Sequence, residues 1–318
     1  RAVMRQIILK SGLALGDIVA LSAVPRELDW QYPGEFQVAM DTPFPQLFDH
    51  NPHVVPADDS FEVIQCHYDR DRWESVNNSN QAPTHLITAY CQDVANSLGI
   101  TLRPSKLAGD IHLSKDEYSQ QSMPHERFNC QRYWVIAAGG KTDFTTKIYP
   151  AAYWQRIVNH FEGRIQFVQV GSLGPEHIQP QLQGVINLVG ETDVRQLIHV
   201  IHAACGVVCG ITSVMHLAAA VPLPVWQKRS RPCVVIAGGR EPRTWYSYPT
   251  HRVLDTVGTL ACCSDGGCWQ SRTVPLNDGH DDRLCHRVVH GTPKCMALIR
   301  PEQVIWSIEQ YLESEGIE

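Results

Sequence analysis

The sequence predicts an α/β protein made of two Rossmann-like domains that face a cleft, each a parallel sheet flanked by helices. Three observations lead there. Short apolar runs rich in Val and Ile alternate with segments of helical periodicity, most legibly from residue 133 onward. Those runs end in Gly or other small residues, as strands do where they feed the loops of a parallel sheet. At 318 residues the chain is too long for one ordinary core, so two units of roughly 150 residues each are expected.

In chain order, "RQIILK" (5–10) reads as a buried strand. It enters "SGLALGDIVALSAVPREL" (11–28), a glycine-containing turn followed by a mostly apolar helix. Residues 30–60 are rich in Pro, Asp and Asn, with strand-like pieces such as "EFQVAM". "THLITAYCQDVANSLGI" (84–100) carries a helical stripe that Gly99 ends, because glycine accepts the left-handed backbone of a C-cap. The polar segment 110–131 is taken as the join, giving domains 1–130 and 131–318.

The second half reads as strand "YWVIAAGG" (133–140), helix "YPAAYWQRIVNHF" (149–161) and strand "RIQFVQVGS" (164–172). A helix follows in which Val194, Leu197, Ile198 and Ile201 share one face, with Thr192 or Asp193 as N-cap. Then come strand 206–210, helix 212–221 and strand 233–239. After a cysteine-rich stretch (262–295), Pro301 opens a terminal helix (301–312) striped by Val304, Ile305, Ile308 and Leu312.

Bulk properties narrow the partners. A net charge of -6 without a basic run gives no electrostatic footprint for nucleic acid. No stretch approaches the roughly 20 apolar residues of a membrane span. Six of the eleven cysteines are scattered, several inside apolar runs, which suits free thiols in a reducing, cytoplasmic setting. The expected partners are small molecules or other proteins, including further copies of the chain.

In an open parallel sheet, ligands sit at the carboxyl ends of strands, where helix N-termini point. Four loops hold that position. In "LALGDIV", Gly16 permits a tight turn and Asp17 opens a helix, either as a general base or as an acid satisfying the helix dipole. In "AAGGKTDFTTKIYP", Gly139 and Gly140 allow close backbone approach, and Lys141 and Lys147 supply cations. The alternative there is a solvated surface loop. In "GITSVMHLAAA", Thr212 and Ser213 open a helix with anion-binding N–H groups, and His216 lies one turn on, as a ligand contact or a core histidine. In "AGGREP", Arg240 and Glu241 stand at the cleft edge or form an internal ion pair. A nucleotide diphosphate held by the second domain, with a base from the first, is a sugar-transfer arrangement.

These motifs bring the chain close to a family. Over nearly its whole length it resembles the bacterial heptosyltransferases of glycosyltransferase family nine. "LGDIV" is similar to the family's N-terminal G-D motif, "KIYP" to its K-x-W-P segment, and "TSVMHLAAAVP" to D-[ST]-G-x-x-H-L-A-A-A-x-x-x-P. The resemblance implies the GT-B architecture, Asp17 as the base that activates the acceptor, and Lys147 on the donor phosphate. Thr212 and His216 carry over as donor contacts, while Ser213 stands where the family has glycine. Ile211 occupies the place of an aspartate associated with the donor sugar's hydroxyls. The implied reaction is inverting transfer of a sugar, most plausibly heptose from ADP-heptose, to a glycan or protein hydroxyl. Such a scheme requires no catalytic divalent metal, and no D-x-D motif is present. The competing expectations are a nucleotide-sugar epimerase of the same architecture and a non-catalytic nucleotide- or metal-binding sensor.

The stretch 262–295 holds five cysteines spaced C-C-x4-C-x16-C-x9-C. By spacing it is a thiolate metal site, a set of unpaired thiols, or a disulfide. "AGGREP" and "CC…GGCW" also resemble the autotransporter heptosyltransferases, which carry a cysteine-bound iron. That implies a structural iron or zinc on Cys263, Cys268, Cys285 and Cys295, with Cys262 the alternative to its neighbour. Its place beyond the last sheet strand sets this loop away from the expected chemistry.

Overall fold

The computed structural model describes residues 4–68, 83–279 and 281–315. Strand β1 (Arg5–Lys10) leads into helices α1 (Leu15–Leu21) and α2 (Ala23–Gln31). The single helix expected over this stretch divides at Ser22. Pro25 has no N–H to give the carbonyl four residues before it, so the helical ladder is interrupted there. Strands β2 (Phe36–Asp41) and β3 (Glu62–Gln65) flank β1, giving a parallel sheet in the order β2-β1-β3. Helix α3 (Leu86–Leu98) ends at Gly99, whose φ of 70° is the left-handed C-cap expected of it. Short helices α4 (Lys115–Ser119) and α5 (Met123–Phe128) follow. The expected join at residues 130–131 lies between α5 and the next strand.

The second sheet has six strands, and its β4 (Trp134–Ala137), β6 (Phe167–Gln169) and β8 (Ile186–Asn187) run outward in chain order. Between them lie a two-residue strand β5 (Gly140–Lys141), helix α6 (Ala151–His160) and β7 (His177–Ile178), which pairs with β5. After α7 (Val194–Ala203) the chain returns to the middle. There β9 (Gly206–Gly210) pairs with β4, and beyond helix α8 (Ser213–Ala220) come β10 (Cys233–Gly238), α9 (Arg243–Tyr246) and β11 (Arg252–Asp255). The order β11-β10-β9-β4-β6-β8, all parallel, is the doubly wound arrangement, with its reversal between β4 and β9. α7 starts with a capping box in which Asp193 and Gln196 bond each other's backbone N–H groups, so Asp193 rather than Thr192 is the cap.

Beyond β11 the cysteine-rich stretch holds a 3-10 turn (Ala261–Cys263), a small hairpin of β12 (Val288–Val289) and β13 (Thr292–Pro293), and helix α10 (Lys294–Ala297). The terminal helix α11 (Pro301–Glu315) packs beside α6, with Arg156–Glu302 and Arg164–Glu309 ion pairs across the seam. One apolar cluster runs through both sheets, from Ile7 and Val19 to Val135, Val207 and Met215. Another covers the far face of the larger sheet and takes in Trp154, Ile236, Cys295 and Ile308. Among the described residues no helix is long and apolar enough to cross a membrane.

Candidate active site

The strand reversal sets a crevice outside the carboxyl ends of β4 and β9, which is where doubly wound sheets bind ligands. On the β9 side, α8 begins at Thr212. Its hydroxyl is buried and makes no hydrogen bond among the described residues, although an N-cap threonine ordinarily bonds its own helix. The far end of α8 is fixed by Arg231, buried to 2% exposure, whose guanidinium donates to the carbonyls of Ala218 (2.9 Å), Val221 (3.1 Å) and Pro222 (3.0 Å). A cation against these last carbonyls stabilises the helix and holds its N-terminus in place.

On the β4 side, the chain descends through a 3-10 segment (Thr142–Lys147) until the Lys147 carbonyl lies against Gly210, where a side chain's Cβ would approach it to 3.4 Å. Lys147 Nζ is 2.6 Å from Glu241 Oε1, and Glu241 also pairs with Arg240. Phe144 stacks beneath both cations, 5.3 Å from Lys147 and 5.1 Å from Arg240. Burial lowers the Lys147 ammonium below its ordinary range, with Glu241 acting against that shift. Burial also works to raise the Glu241 carboxyl, but Lys147 and Arg240 outweigh it and hold the group low and ionised.

The first sheet contributes α1. Gly16 lies so close to α8 that a Cβ there would be 2.9 Å from His216 Cδ2 and 3.4 Å from the Ser213 backbone. This glycine brings the start of α1 onto the start of α8, with Asp17 beside it, partly buried. The Asp17 carboxylate accepts the Ala14 N–H, so it does serve the helix end as an acid in that position can. It also feels the Lys147 charge. Burial, the largest influence, raises its pKa to about 6 against the lowering effect of Lys147. A carboxylate poised near neutrality is suited to taking a proton.

Behind this pair, His216 Nδ1 is 2.5 Å from the Tyr248 hydroxyl. Burial lowers the His216 pKa to about 3 and raises that of Tyr248, so the pair is uncharged at neutral pH. His85, the N-cap of α3, packs edge-on against Tyr248 with ring centroids 5.3 Å apart.

Of the residues singled out in the sequence, Gly16, Asp17, Lys147, Thr212, Ser213 and His216 meet here. Gly139, Gly140 and Lys141 are used differently. Gly140 and Lys141 pair with Ile178 and His177, and a Cβ on Gly139 would collide with Gln179 and the Ile178 carbonyl. The close approach at Gly139 is thus made by the protein's own backbone, and the Lys141 side chain is exposed. Ile211 is buried in the core. Glu241, Tyr248, His85 and Phe144 complete the surroundings. The sequence offered Glu241 at the cleft edge or as an internal partner of Arg240, and no motif marked the other three.

The cysteine-rich stretch is nearer the site than its place in the sequence suggested. Cys268 and Trp269 donate backbone N–H groups to the carbonyls of Gly239 (3.2 Å) and Arg240 (2.8 Å). Gln270 O accepts from Arg240 Nε at 2.8 Å and from the Thr146 hydroxyl at 2.7 Å, and Trp269 stacks on the Arg240 guanidinium. The stretch therefore supports both segments that carry the Lys147–Glu241 pair. All eleven cysteines are free thiols. Burial raises Cys268 to about 11, with Cys262 and Cys295 adding repulsion, and raises Cys295 with Cys285 and Cys263 adding theirs. The five sulfurs are thus neighbours, and Cys263 and Cys295 flank Gly238 and Gly239. Among the described residues no three of them lie within 4.8 Å of one another, a wider spread than in a closed four-thiolate site, where sulfurs bound at about 2.3 Å are roughly 3.8 Å apart.

Residues 71–226 match the model of glycosyltransferase family 9 (heptosyltransferase). No curated protein sequence matches the chain. Among solved structures, a family 9 glycosyltransferase from Veillonella parvula is 15% identical, with a TM-score of 0.65 over 98% of this chain and 97% of that one. The E. coli ADP-heptose lipopolysaccharide heptosyltransferase II is also 15% identical, with a TM-score of 0.59 over 98% of this chain and all (100%) of that one. The iron-containing dodecameric glycosyltransferase TibC, from enterotoxigenic E. coli, is 14% identical, with a TM-score of 0.66 over 98% of this chain and 77% of that one. These likenesses show a common α/β fold with parallel sheets, of the GT-B type. The match across residues 71–226, just under half of the chain, relates that segment to glycosyltransferase family 9 and supports a glycosyltransferase.

Proposed function

We propose that the protein transfers a sugar, with inversion, from a nucleotide diphosphate donor to an acceptor hydroxyl, and that the donor is ADP-heptose. The observation that carries this reading is the meeting of Asp17, with its pKa near 6, and Lys147 at the strand reversal of the larger sheet. Solved structures of the same fold are described as binding ADP-heptose and ADP, which supports the choice of nucleotide.

In this scheme the acceptor oxygen attacks the anomeric carbon as the bond from that carbon to the diphosphate breaks. The acceptor proton passes to the Asp17 carboxylate. Negative charge that grows on the departing diphosphate is met by Lys147 and by the N–H groups at Thr212 and Ser213, with the Thr212 hydroxyl as a further donor. Neutral His216, held by Tyr248, adds a polar wall without a competing charge. Ile211 offers the sugar no acidic contact, so recognition of its hydroxyls falls to other residues.

The cysteine-rich stretch fits a structural iron or zinc by its donor chemistry, since five neighbouring thiols repel one another as anions and a cation relieves that repulsion. Cys263, Cys268, Cys285 and Cys295 would hold it, with Cys262 in reserve. Bound there, it would stiffen the support beneath Arg240 and Glu241 and take no part in transfer. Free thiols throughout suit a cytoplasmic setting, and assembly into a homo-oligomer belongs to the same reading.

The test is thermal stabilisation of the purified protein by a panel of nucleotides and nucleotide sugars, followed by product analysis with and without acceptor. Selective stabilisation by ADP-heptose is expected, about 2.7 kcal/mol at a hundredfold excess over Kd, together with acceptor-dependent release of ADP. Sugar conversion without an acceptor would instead identify an epimerase.

A further inference from the structure

A cluster of side chains of metal-ligand type lies on residues that the transfer scheme leaves idle. His53 belongs to the turn after the 3-10 helix Pro45–Phe48, and Asp110 and His112 to the extended run before α4. Each offers one ligand atom, and the three atoms lie within 4.8 Å of one another.

The arrangement is held from behind. Asp110 Oδ1 faces Arg26 at 3.4 Å, and that guanidinium is itself buried with Glu27 as its partner. The Asp110 backbone N–H donates to Ser22 Oγ at 2.8 Å, and Asn51 Nδ2 donates to the Asp110 carbonyl at 3.2 Å. Oδ2 also accepts from Asn51 Nδ2 at 3.3 Å and faces both imidazoles, 2.9 Å from His112 Nε2 and 4.0 Å from His53 Nε2. Ligand atoms bound tetrahedrally at about 2.1 Å are roughly 3.4 Å apart, and these two distances straddle that value. The opposite nitrogen of His53 is engaged by Asp29 Oδ2 at 2.8 Å. A carboxylate on one ring nitrogen fixes the tautomer that presents the other as a lone pair, as in carboxylate–histidine–metal triads.

We propose that His53, Asp110 and His112 bind a divalent transition-metal ion of the zinc class. Two imidazoles and one carboxylate favour such an ion over magnesium or calcium, which take oxygen ligands. The His112 ring is only partly buried, with 31% of its side chain exposed, and leaves a side open for water. The ion ties the turn at His53 to the connecting run. That run is gripped in turn from the second half, because Arg195 of α7 donates to the His112 carbonyl at 2.7 Å and to Glu117 at 2.6 Å. It is a brace at the join and supplies nothing to the transfer step.

The test is titration of the full chain with Zn2+ and Co2+, reading stoichiometry by elemental analysis and cobalt by absorption. Thiolate-bound cobalt gives an intense charge-transfer band that an imidazole–carboxylate site lacks, so the two metal sites are read separately. The wild-type chain should bind one equivalent more than the His53→Gln/His112→Gln double variant, with the thiolate band equal in both. Asp29→Asn should keep the stoichiometry and weaken the affinity about 10- to 100-fold. His112→Gln alone alters only the most exposed of the three ligands and should lose at least tenfold. Equal stoichiometry and affinity in wild-type and folded His112→Gln protein overturns the site.

Discussion

Lys147 and Glu241 form a 2.6 Å ion pair between the loop after β4 and the loop after β10, in the crevice where the larger sheet reverses direction. Glu241 keeps a second cation, Arg240, so removing Lys147 does not strand a bare carboxylate in the interior. Lys147→Ala should therefore fold, and its defect should appear in donor binding. A charge-assisted hydrogen bond contributes about 1.5–3 kcal/mol, so the Kd for ADP should rise roughly 10- to 100-fold. Glu241→Gln should behave differently. It leaves Lys147 and Arg240 facing each other without a counter-charge, and breaking such a pair costs about 3–5 kcal/mol. Urea midpoints for the two variants distinguish these outcomes, and wild-type ADP affinity in Lys147→Ala would remove Lys147 from the donor site.

Asp17 allows a prediction in which activity and stability move in opposite directions. Its folded pKa of about 6 lies above the ordinary carboxyl value of 3.8, so ionisation is disfavoured by folding. A raised carboxyl pKa makes the folded state bind more protons between those two values, and stability from this group falls as pH rises through that window. Above pH 6 the cost is fully present, up to about 3 kcal/mol for a shift of two units. Asp17→Asn should abolish transfer, retain ADP binding, and raise the unfolding free energy at pH 8 with little change near pH 4. Wild-type kcat/KM should rise with pH and level off above about 6. Retained transfer in Asp17→Asn would deprive the carboxylate of its role as base.

Much of this site was legible because backbone demands leave marks on sequence. Gly16, the Thr212–Ser213 helix start and the glycines ending β10 are small or capping residues at strand-to-helix turns, and the turns dictate those types. The doubly wound second half was readable from strands that alternate with helices and end in small residues, although the edge strands β8 and β11 were not read. The contacts made by long-range packing left no such mark. Tyr248 meets His216 across 32 residues, and the support of Arg240 by Gln270 depends on how the cysteine-rich stretch folds back. A loop after the last sheet strand can return to the crevice or turn away from it, and linear spacing does not distinguish the two. Gly139 misled in the other direction, since a glycine that admits a phosphate and one that admits a neighbouring backbone look alike in sequence.

The contact at Gly16 has a direct steric test. A Cβ there would be 2.9 Å from His216 Cδ2, so α1 and α8 must part for any larger side chain. Gly16→Val should cost about 1–3 kcal/mol, the usual range for overpacking, and should reduce turnover by moving Asp17 off Lys147. Gly12→Ala is the control, because among the described residues nothing lies within 4 Å of its added Cβ. Equal urea midpoints for the two variants would show that the helices do not meet as described.

Thr212 separates ligand recognition from folding. Its buried hydroxyl has no partner among the described residues, so Thr212→Val removes none of their hydrogen bonds and should leave the thermal midpoint unchanged or higher. If the hydroxyl serves the donor diphosphate, the same change should weaken ADP binding by about 1.5–3 kcal/mol, the range for a hydrogen bond to a charged group. Ser213→Ala, one residue on, should weaken it less, because the Ser213 contribution comes mainly from a backbone N–H that alanine retains. Calorimetry on the two variants checks the order, and wild-type affinity in Thr212→Val would leave the orphan hydroxyl without a ligand.

Removal of the expected cysteine-bound metal should be felt at a distance. The stretch that carries the thiols supports Arg240 through Gln270 and the Lys147 segment through Thr146, by bonds of 2.8 Å and 2.7 Å. Loosening it should disturb the ion pair before it disturbs the sheets, whose strands are paired independently of that loop. Chelation of iron or zinc should therefore weaken ADP binding and lower the thermal midpoint together, with each kcal/mol of stability lost lowering Tm by roughly 2 °C in a chain of this size. Cys285→Ser, at a ligand outside the apolar core, should reproduce both effects in milder form. Elemental analysis that finds neither metal, with ADP affinity indifferent to chelator, would leave the five thiols without a metal, and the stretch would then support Arg240 through the backbone of Cys268 to Gln270 and the Trp269 ring.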